Sequence, residues 1–470
     1  MKKELSFMMS TLPILALIFA AACSIFIWDA GMQIPLVIGV SVAALIAKLG
    51  GWKWSEIERM MIDGVARALP AVFILLLIGM IVGTWIASGV IPTLIYYGLS
   101  LIKPELFIPL VALITGIVSV TLGSSFTSIA TIGLAFMAIG EGLGFTPGLV
   151  VGAIISGAFF GDKISPLSDT TNIAPAMAET DLFSHIKHML WDTIPAFIIA
   201  LILYGFAGQA EMTNQVSNME NIELIKNTLD NIFIIHPLLL VVPIFTIFLM
   251  LRRVPAIPAL TIVGLLGAVV GIFVQGTSIS SMTQIMTDGF SVDSGIEAVD
   301  SLLDKRGIMS MLETIALLMI ATALGGILEE TGAFEIITRK MMAKIQTIGA
   351  LIAATLFFTF IVAFASGAQF LAIILPARTF VQKYKDMGID TKNLSRCVEA
   401  AGTVGINLVP WGVPAVFAAN TLGVSPSEFI PYAFFVFLVP LINLLFGFTG
   451  WTITKEGEQK EDVLEEGMTV

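Results

Sequence analysis

The chain has 470 residues, of which 57% are hydrophobic and only 13% are charged. Soluble proteins carry about twice that charged fraction, and the mean hydropathy is +0.95, so the composition excludes an ordinary soluble domain. The net charge of −11 gives no support for nucleic-acid binding. Cys23 and Cys397 both lie in apolar segments, which argues against a disulfide framework.

Apolar segments recur along the whole chain. Windows long enough to cross a bilayer predict membrane segments near residues 11–28, 33–48, 69–89, 106–139, 147–178, 192–207, 233–251, 256–275, 309–328, 347–382, 395–421 and 429–449. The first segment lacks a following small-residue cleavage site, so we interpret it as a span and not as a signal peptide. The sequence therefore predicts an all-α polytopic membrane protein with about 10–12 spans in a lipid bilayer.

Three of these segments, 106–139, 147–178 and 347–382, are too long for one straight helix. The first and the last carry a polar break in the middle, at residues 123–128 and at residues 366–369. We predict that each of these two is a re-entrant hairpin with a polar tip, or a pair of short spans.

Basic residues predict the orientation of the spans. Lys2 and Lys3 precede the first segment, and further bases follow the second, which predicts a cytoplasmic amino terminus. In the second half, Arg252 and Arg253 fall between the two equivalent segments instead. The halves therefore have opposite predicted orientations, and the carboxyl terminus with its acidic tail, residues 453–470, is also predicted to be cytoplasmic.

An internal sequence repeat supports the same division. An offset of 244 residues aligns Gly123–Phe136 with Gly367–Phe380. We therefore predict two inverted-topology repeats, residues 1–225 and residues 226–452, built from re-entrant hairpins and broken helices. Roughly five spans and one hairpin in each half give the odd number of crossings that an inversion requires.

The stretch from Gly157 to Ala176 combines charge and helix-breaking residues at membrane depth. Three charged side chains, Asp162, Lys163 and Asp169, fall within eight residues, and each costs roughly 2.5–3.5 kcal/mol at the centre of a membrane helix. Two prolines in the stretch prevent one regular helix from carrying all of it. Such segments are tolerated where they line a cavity, so we predict an ion site, with a charged loop between two spans as the alternative.

Interrupted segments of the two halves meet near the bilayer midplane in folds of this kind. The predicted site has four pieces: the 123–128 tip, the 161–172 break, the 366–369 tip and the 405–412 break. Hard cations such as Na⁺ take oxygen ligands. The candidate ion- and proton-binding side chains are Asp162, Asp169, Ser165, Ser168, Thr170, Thr171, Asn172, Ser124, Ser125, Thr127, Gln369 and Asn407, together with Glu399.

The two aspartates of the first-half break are the predicted Na⁺ ligands. If Na⁺ and a proton compete for the same carboxylate, binding of one displaces the other, which by itself enforces antiport. Asp169 is slightly favoured over Asp162 because neutral oxygen ligands flank it. Lys163 is predicted to be the charge partner of an aspartate or, alternatively, to reach a cytoplasmic interface. The hydroxyls of the 123–128 tip bind the ion or, alternatively, cap the helix break.

Four further side chains carry alternatives. Glu399 is a predicted proton carrier, with an ion pair to Arg396 on the same helix face as the alternative. Arg378 is either a basic anchor on the inner side or the charge partner of a substrate carboxylate. His185 and His188 are one helical turn apart, and we interpret them as an interfacial pair at a cytoplasmic helix end, with pH sensing as the alternative.

The motif from Gly161 to Asn172 resembles the signature of the NhaC-type Na⁺/H⁺ antiporters, which belong to the ion-transporter superfamily. The similarity extends to Gly83–Ile95, Leu122–Ser125, Leu375–Arg378 and Leu408–Trp411. The resemblance implies secondary antiport of Na⁺ against protons, with hairpins and broken helices around the ion site. It also implies that some relatives exchange organic acids such as malate and lactate.

The second half departs from the family pattern at three positions. Ala400 stands where an aspartate is expected, Asn407 where a proline is expected, and Gly412 where an asparagine is expected. The predicted function is a Na⁺/H⁺ antiporter of the cytoplasmic membrane that needs no cofactor. A Na⁺- or H⁺-coupled exchanger of a small organic anion is the alternative, and a homodimer is left open.

Functions of other classes are less favoured by the sequence. A channel would need a selectivity filter, and no segment resembles one. A membrane enzyme could use Asp162 with Asp169 as paired carboxylates, but the sequence shows no activated nucleophile or metal-ligand pattern. A Walker-type phosphate-binding loop is also missing from the sequence, which disfavours ATP-driven transport.

Overall fold

The computed structural model describes residues 5–28, 31–101, 104–213, 218–252, 254–296, 299–300, 303, 307–342 and 345–456. Within these ranges the chain folds into helices, and an isolated β-bridge joins Ile389 and Lys455. By length and composition, seven helices could cross a membrane, or up to eleven segments if each bent pair is one span. The prediction of an all-α polytopic membrane protein is confirmed.

Helices of the first half alternate long apolar spans with short broken pieces. In chain order they are α1 (Phe7–Cys23), α2 (Gln33–Leu49), α3 (Trp54–Ala66), α4 (Leu69–Ala87), α5 (Val90–Leu101), α6 (Phe107–Leu122), α7 (Ser125–Gly142), α8 (Pro147–Ile164), α9 (Asp169–Ala178) and α10 (Leu182–Thr213). The predicted break inside 147–178 separates α8 from α9. The predicted span 192–207 is part of the longer α10.

The second half follows the same style. Its described helices are α11 (Asn218–Ile232), α12 (Val241–Leu251), α13 (Ala256–Val274), α14 (Ile279–Asp288), α15 (Leu312–Glu330), α16 (Ala333–Met342), α17 (Ile348–Ser366), α18 (Gln369–Asp386), α19 (Lys392–Leu408), α20 (Val413–Leu422), α21 (Pro426–Tyr432) and α22 (Phe434–Thr449). Helix α19 is irregular, because it becomes a π-helix at Glu399–Val404 and a 3₁₀-helix at Gly405–Leu408.

Both polar tips have the same backbone form. Helix α6 is followed by Gly123, whose φ of 66° is left-handed, and α17 is followed by Gly367 with a φ of 62°. The next residues, Ser124 and Ala368, are extended, and a new helix begins immediately after each. A left-handed residue is inexpensive only for glycine, so the glycine at each tip allows the chain to leave one helix and start another within two residues.

Helix bounds repeat at an offset of 243 or 244 residues, at or next to the offset found in the sequence. Adding 243 to the bounds of α4 gives the Leu312 and Glu330 that bound α15. Adding 244 to the bounds of α9 gives the Val413 and Leu422 that bound α20. Because both ends of each helix match, the internal repeat holds for the structure as well as for the sequence. The limits of the predicted units, 1–225 and 226–452, stay predictions.

Orientation in the membrane also stays a prediction. The bases Lys2, Lys3 and Arg253, on which it partly depends, lie outside the described residues, as do residues 457–470 of the predicted acidic tail. The structure does show which helices are enclosed by the rest of the protein and which lie at its surface. In α8, 83% of the membrane-length window is buried, against 39% in α10 and in α13.

The exposed faces of the outer helices are apolar. Phe206 of α10 is 68% exposed and Phe273 of α13 is 83% exposed. A water-facing helix would carry polar side chains on such a face, whereas the hydrocarbon core of a bilayer accepts them. We therefore assign these faces to lipid and the enclosed helix α8 to the centre of the protein.

Small residues bring α6 and α8 into close contact. A Cβ atom added at Gly161 would overlap the Gly116 carbonyl and the Val120 amide of α6. The Ser119 hydroxyl donates a 2.6 Å hydrogen bond across the same contact to the Ala158 carbonyl. Small residues and interhelical hydrogen bonds are the usual means of joining helices in lipid, and here they fix the end of α8 that bears Asp162.

Candidate ion-binding site

The four predicted pieces of the site meet in pairs. Helix α7, which starts at the first tip, packs against α20, which follows the second break. In the same way α18, which starts at the second tip, packs against α9, which follows the first break. The Phe126 and Phe417 rings make an edge-to-face contact between α7 and α20, with centroids 4.6 Å apart. The two halves therefore exchange equivalent contacts, as related repeats would.

Asp162 lies buried at the carboxyl end of α8. Its Oδ2 accepts a 2.6 Å hydrogen bond from the hydroxyl of Ser125, the first residue of α7. The Thr171 hydroxyl reaches back from α9 to the backbone carbonyls of Asp162, at 3.0 Å, and of Lys163, at 3.1 Å. Carbonyls at a helix end lack partners within the helix, so Thr171 satisfies them and holds the break beside the first tip.

Side chains of the loop between α8 and α9 also bond mainly to the backbone. The Ser165 hydroxyl donates to the Val120 carbonyl of α6 at 2.7 Å. Ser168 caps α9, because its hydroxyl accepts from the Thr171 amide, and it lies 3.0 Å from the hydroxyl of Thr170. Helix ends are commonly stabilised in this way. Thr170 is buried, so this cap extends toward the protein interior.

Asp169 and Asn172 occupy the outer side of the same loop. Both side chains are exposed. Asp169 is in the first turn of α9, where a carboxylate is stabilised by the helix dipole. The Asn172 amide donates to the carbonyls of Pro166, at 2.8 Å, and of Ser168, at 2.7 Å. The geometry therefore favours Asp162 over Asp169, which reverses the preference drawn from the flanking residues.

The first tip uses its hydroxyls chiefly on itself. The Ser124 hydroxyl accepts from the Thr127 amide at 3.3 Å and from the Thr127 hydroxyl at 3.1 Å. This is the capping arrangement that was the alternative to ion binding for these two residues. Ser125 differs, since its hydroxyl points to Asp162.

Glu399 lies at the start of the π segment of α19 and is fully buried. Neither of its carboxylate oxygens has a hydrogen-bond partner among the described residues. Its electrostatic surroundings include the hydroxyls of Thr170 and Thr403 and the charges of Lys163 and Asp162. Arg396 makes no ion pair with it within the described chain, so the predicted alternative of a structural Glu399–Arg396 pair is wrong.

Arg396 instead has its own surroundings. Its Nη1 donates to the Thr452 hydroxyl at 3.0 Å, and its guanidinium lies 5.3 Å from the centre of the Phe446 ring. The guanidinium therefore contacts groups near the carboxyl end of the described chain and not the Glu399 carboxylate.

Polar groups around Glu399 are only partly satisfied. Gln369 donates to the Thr403 carbonyl at 3.3 Å, and Asn407 donates to the Val404 carbonyl at 3.0 Å. The Thr403 hydroxyl and the Asn407 amide oxygen are buried without a partner in the described structure. Buried oxygen atoms in this state are costly unless an ion, a proton or water completes them. The second half thus supplies open oxygen ligands.

Lys163 is fully buried, and its ammonium pairs with a carboxylate outside the motif. Its ammonium lies 2.9 Å and 3.0 Å from the two carboxylate oxygens of Asp192 in α10, and 2.9 Å from the Thr193 hydroxyl. The alternative in which Lys163 reaches an interface is therefore wrong. Asn443 of α22 also donates to Asp192.

Sequence reasoning missed Asp192 and Asn443. A signal was present for the first, because Asp192 follows Trp191 inside an apolar run, and an ionisable residue within a span is by default a functional candidate. Placing the start of the predicted span at residue 192 made it look like a boundary residue. Asn443 is one neutral amide in a long apolar segment and gave no comparable signal.

Two other expectations are altered by the structure. Arg378 is exposed, and its Nε contacts the Met177 sulfur at 3.2 Å, so it lies apart from the buried carboxylates. His185 and His188 are buried and not interfacial: the first lies 2.7 Å from the Ser395 hydroxyl and the second 3.2 Å from the Asn393 amide oxygen. The interfacial interpretation fails because α10 begins earlier than predicted and packs its first turns on α19.

A cavity of about 780 Å³ lies beside these elements. Its walls come from α4, α7, α15 and α20, and it reaches Pro410 in the second-half break. Glu141 and Glu313 contribute carboxylates to the lining, and Asn420 contributes an amide. Asp162 and Glu399 do not line it, so the buried carboxylates are closed off from this cavity in the conformation described.

Comparison with known proteins shows the family to which the chain belongs. The sequence profile of the Na⁺/H⁺ antiporter family matches residues 3–171 and 157–451. The chain is 41% identical, over 92% of its length and 93% of the relative's, to the Na⁺/H⁺ antiporter NhaC of Alkalihalophilus pseudofirmus. It is 34% identical to the malate-2H⁺/Na⁺-lactate antiporter of Bacillus subtilis, over 93% of each chain. It is also 34% identical to the Na⁺/H⁺ antiporter NhaC of Bacillus subtilis, over 95% of this chain and 99% of the relative. Because the family profile and these relatives each match most of its length, this chain is a member of the Na⁺/H⁺ antiporter family.

Proposed function

We propose that this protein exchanges Na⁺ for protons across the cytoplasmic membrane by alternating access. The observation that carries the proposal is that each half contributes a buried carboxylate without a basic partner among the described residues, Asp162 and Glu399. Asp162 accepts a hydrogen bond from the Ser125 hydroxyl, and neither carboxylate oxygen of Glu399 accepts one with good geometry from a described residue. Buried carboxylates without a dedicated cation need either a proton or a metal ion to be stable.

Oxygen ligands suited to Na⁺ surround these two groups. The first half supplies the Asp162 carboxylate and the Ser125 hydroxyl. The second half supplies the Glu399 carboxylate together with the unpartnered oxygens of Thr403 and Asn407. Na⁺ is a hard cation that takes several carboxylate, hydroxyl and amide oxygens at once. The set therefore suits Na⁺ better than a soft metal, which would favour sulfur or nitrogen.

Antiport follows from competition at the same atoms. A carboxylate that holds a proton cannot hold Na⁺ as a ligand, and Na⁺ binding expels the proton. Because Lys163 is already neutralised by Asp192, Asp162 and Glu399 carry the exchangeable charge. Each net charge moved through 100 mV is worth about 2.3 kcal/mol, so unequal numbers of Na⁺ and H⁺ would make transport sensitive to voltage.

Broken helices provide the moving parts. Transporters with repeated halves alternate by rocking one set of helices against the other around a fixed site. In this protein the two halves meet at two equivalent helix–helix contacts, α7 with α20 and α9 with α18. We further propose that both termini are cytoplasmic, in keeping with the basic residues near the start of the chain.

A second candidate is exchange of an organic anion coupled to Na⁺ and H⁺. The 34% identity to a malate-2H⁺/Na⁺-lactate antiporter supports it. The cavity of about 780 Å³ is larger than a bare ion needs. Its described carboxylates, Glu141 and Glu313, are unfavourable for an anion, which ranks this candidate second.

The test uses purified protein in liposomes that enclose a pH-sensitive dye. A proton gradient is imposed, and NaCl, KCl or Na⁺ with malate or lactate is then added outside. The proposal expects proton movement with Na⁺ alone, lost in Asp162→Asn and in Glu399→Gln. Asp386→Asn is the matched control, because that carboxylate is exposed and accepts only from Gln382 in the described structure. If Na⁺ alone caused no proton movement and addition of malate or lactate did, the second candidate would be selected.

A further inference from the structure

A fully buried ion pair stands beside the proposed site without belonging to it. Lys163 of α8 and Asp192 of α10 both have no exposed side-chain surface. The ammonium makes three contacts of 2.9–3.0 Å, two with Asp192 and one with the Thr193 hydroxyl, which accounts for all three of its protons. Such complete pairing is what a buried charge requires.

Asp192 is itself held from two sides. The Thr193 hydroxyl donates to its Oδ1 at 2.9 Å, and the Asn443 amide donates to its Oδ2. The same Asn443 amide also donates to the Val439 carbonyl at 2.9 Å, which fixes it on α22. Because α10 and α22 pack together, the carboxylate has a defined position between them.

Lys163 and the exchangeable carboxylates are all buried, and they influence one another electrostatically. Lys163 follows Asp162 directly in the chain, and Thr171 holds the carbonyls of both residues. The Lys163 charge also acts on Glu399. If Asp192 did not hold the ammonium, Asp162 and Glu399 would be the carboxylates available to it.

We propose that Asp192 is a positioning residue that sets the affinity of the site for Na⁺. It neutralises Lys163 and holds the ammonium on the α10 side, so that Asp162 and Glu399 stay open to Na⁺ and protons. Thr193 and Asn443 serve this role by fixing the Asp192 carboxylate. This inference rests on the proposed function, and it adds a determinant of affinity outside the set of ion ligands.

Removing the Asp192 charge leaves an unpaired ammonium in the interior. The ammonium then repels Na⁺ and competes with it for Asp162 and Glu399. We expect Asp192→Asn to raise the half-maximal Na⁺ concentration by about tenfold or more, the scale on which a unit charge within a few ångströms alters a buried carboxylate. The maximal rate changes less, because the ligands are all still present.

The experiment measures Na⁺-driven proton movement in liposomes as a function of Na⁺ concentration. It compares wild-type protein, Asp192→Asn, the double variant Lys163→Gln with Asp192→Asn, and the control Asp386→Asn. The double variant removes both charges and allows an amide–amide hydrogen bond, so it is expected to recover most of the lost affinity. Thermal unfolding in detergent reports separately whether each variant is folded.

Each outcome decides the inference. An unchanged half-maximal Na⁺ concentration in folded Asp192→Asn overturns it, and so does a double variant that is no better than the single one. If Asp192→Asn does not fold, Asn443→Ala takes its place, with a smaller rise in the same direction expected and no rise counting against the inference. Wild-type protein that moves no protons with Na⁺ refutes the proposed function itself, which separates the two failures.

Discussion

The Ser125 hydroxyl donates a 2.6 Å hydrogen bond to the Asp162 carboxylate, although the two residues are 37 positions apart in the chain. This bond joins the start of α7 to the end of α8 inside the protein. It also orients the carboxylate that we assign to ion exchange.

Replacing Ser125 with alanine removes that donor and its ligand oxygen. A hydrogen bond to a charged group is worth about 1.5–3 kcal/mol, so we expect the half-maximal Na⁺ concentration to rise by roughly tenfold or more. The measurement is Na⁺-dependent proton movement in liposomes. Ser124→Ala is the comparison, because the Ser124 hydroxyl caps the tip and does not reach Asp162. Equal Na⁺ affinities in the two variants would contradict the assigned role of Ser125.

Neutralising the two aspartates of the motif distinguishes the buried residue from the exposed one. We expect Asp162→Asn to abolish Na⁺-driven proton movement, because it removes an exchangeable charge. We expect Asp169→Asn to keep most of the activity, with a small loss of stability of about 0.3–1 kcal/mol from the first turn of α9. Initial rates and unfolding temperatures measured on both variants test this. If only Asp169→Asn lost transport, Asp169 and not Asp162 would be the ion-binding carboxylate.

Competition between Na⁺ and protons gives a pH dependence with a defined sign. Lowering the pH protonates the shared carboxylates, so the half-maximal Na⁺ concentration rises, by up to about tenfold per pH unit where the site is mostly protonated. Raising the pH lowers it until the site is fully ionised. Titration of Na⁺ at a series of equal inside and outside pH values measures this. A half-maximal concentration independent of pH would exclude a shared site.

The close contact of α6 with α8 predicts a stability effect at Gly161. Alanine there would drive a Cβ atom into the backbone of α6, and overpacking of this kind costs about 1–3 kcal/mol. We expect a lower unfolding temperature in detergent and a loss of transport, because Asp162 is the next residue. Gly205→Ala in α10 is the matched control, since a Cβ at that position meets no atom within 4 Å. Equal unfolding temperatures for the two variants would count against this packing argument.

The broken architecture was predictable because it depends on local chemistry. Glycine and polar residues inside an apolar run mark a break wherever it occurs, and both predicted tips are present, at Gly123 and at Gly367. The offset of 244 residues likewise needs only the sequence. These features follow from what each short segment can do alone in lipid.

Side-chain partners were not predictable in the same way. Lys163 finds its carboxylate 29 residues later, on a helix whose start was misplaced. Asp162 and Asp169 look alike in sequence, and only the turn after Pro166 decides that one is buried and the other exposed. The π-helix that begins at Glu399 was not predictable either, because no local sequence pattern indicated it.

That π-helix has a consequence for the angular position of everything attached to it. A π turn accommodates one more residue than the α turn it replaces, and one residue corresponds to roughly 100° around an α-helix axis. Deleting a single residue within Glu399–Val404 would therefore straighten α19 while rotating Glu399 relative to Gln369 and Asn407. The helix would become more regular, but the oxygen atoms of Glu399, Gln369 and Asn407 would no longer face one another. The π-helix therefore determines the direction in which the Glu399 side chain projects.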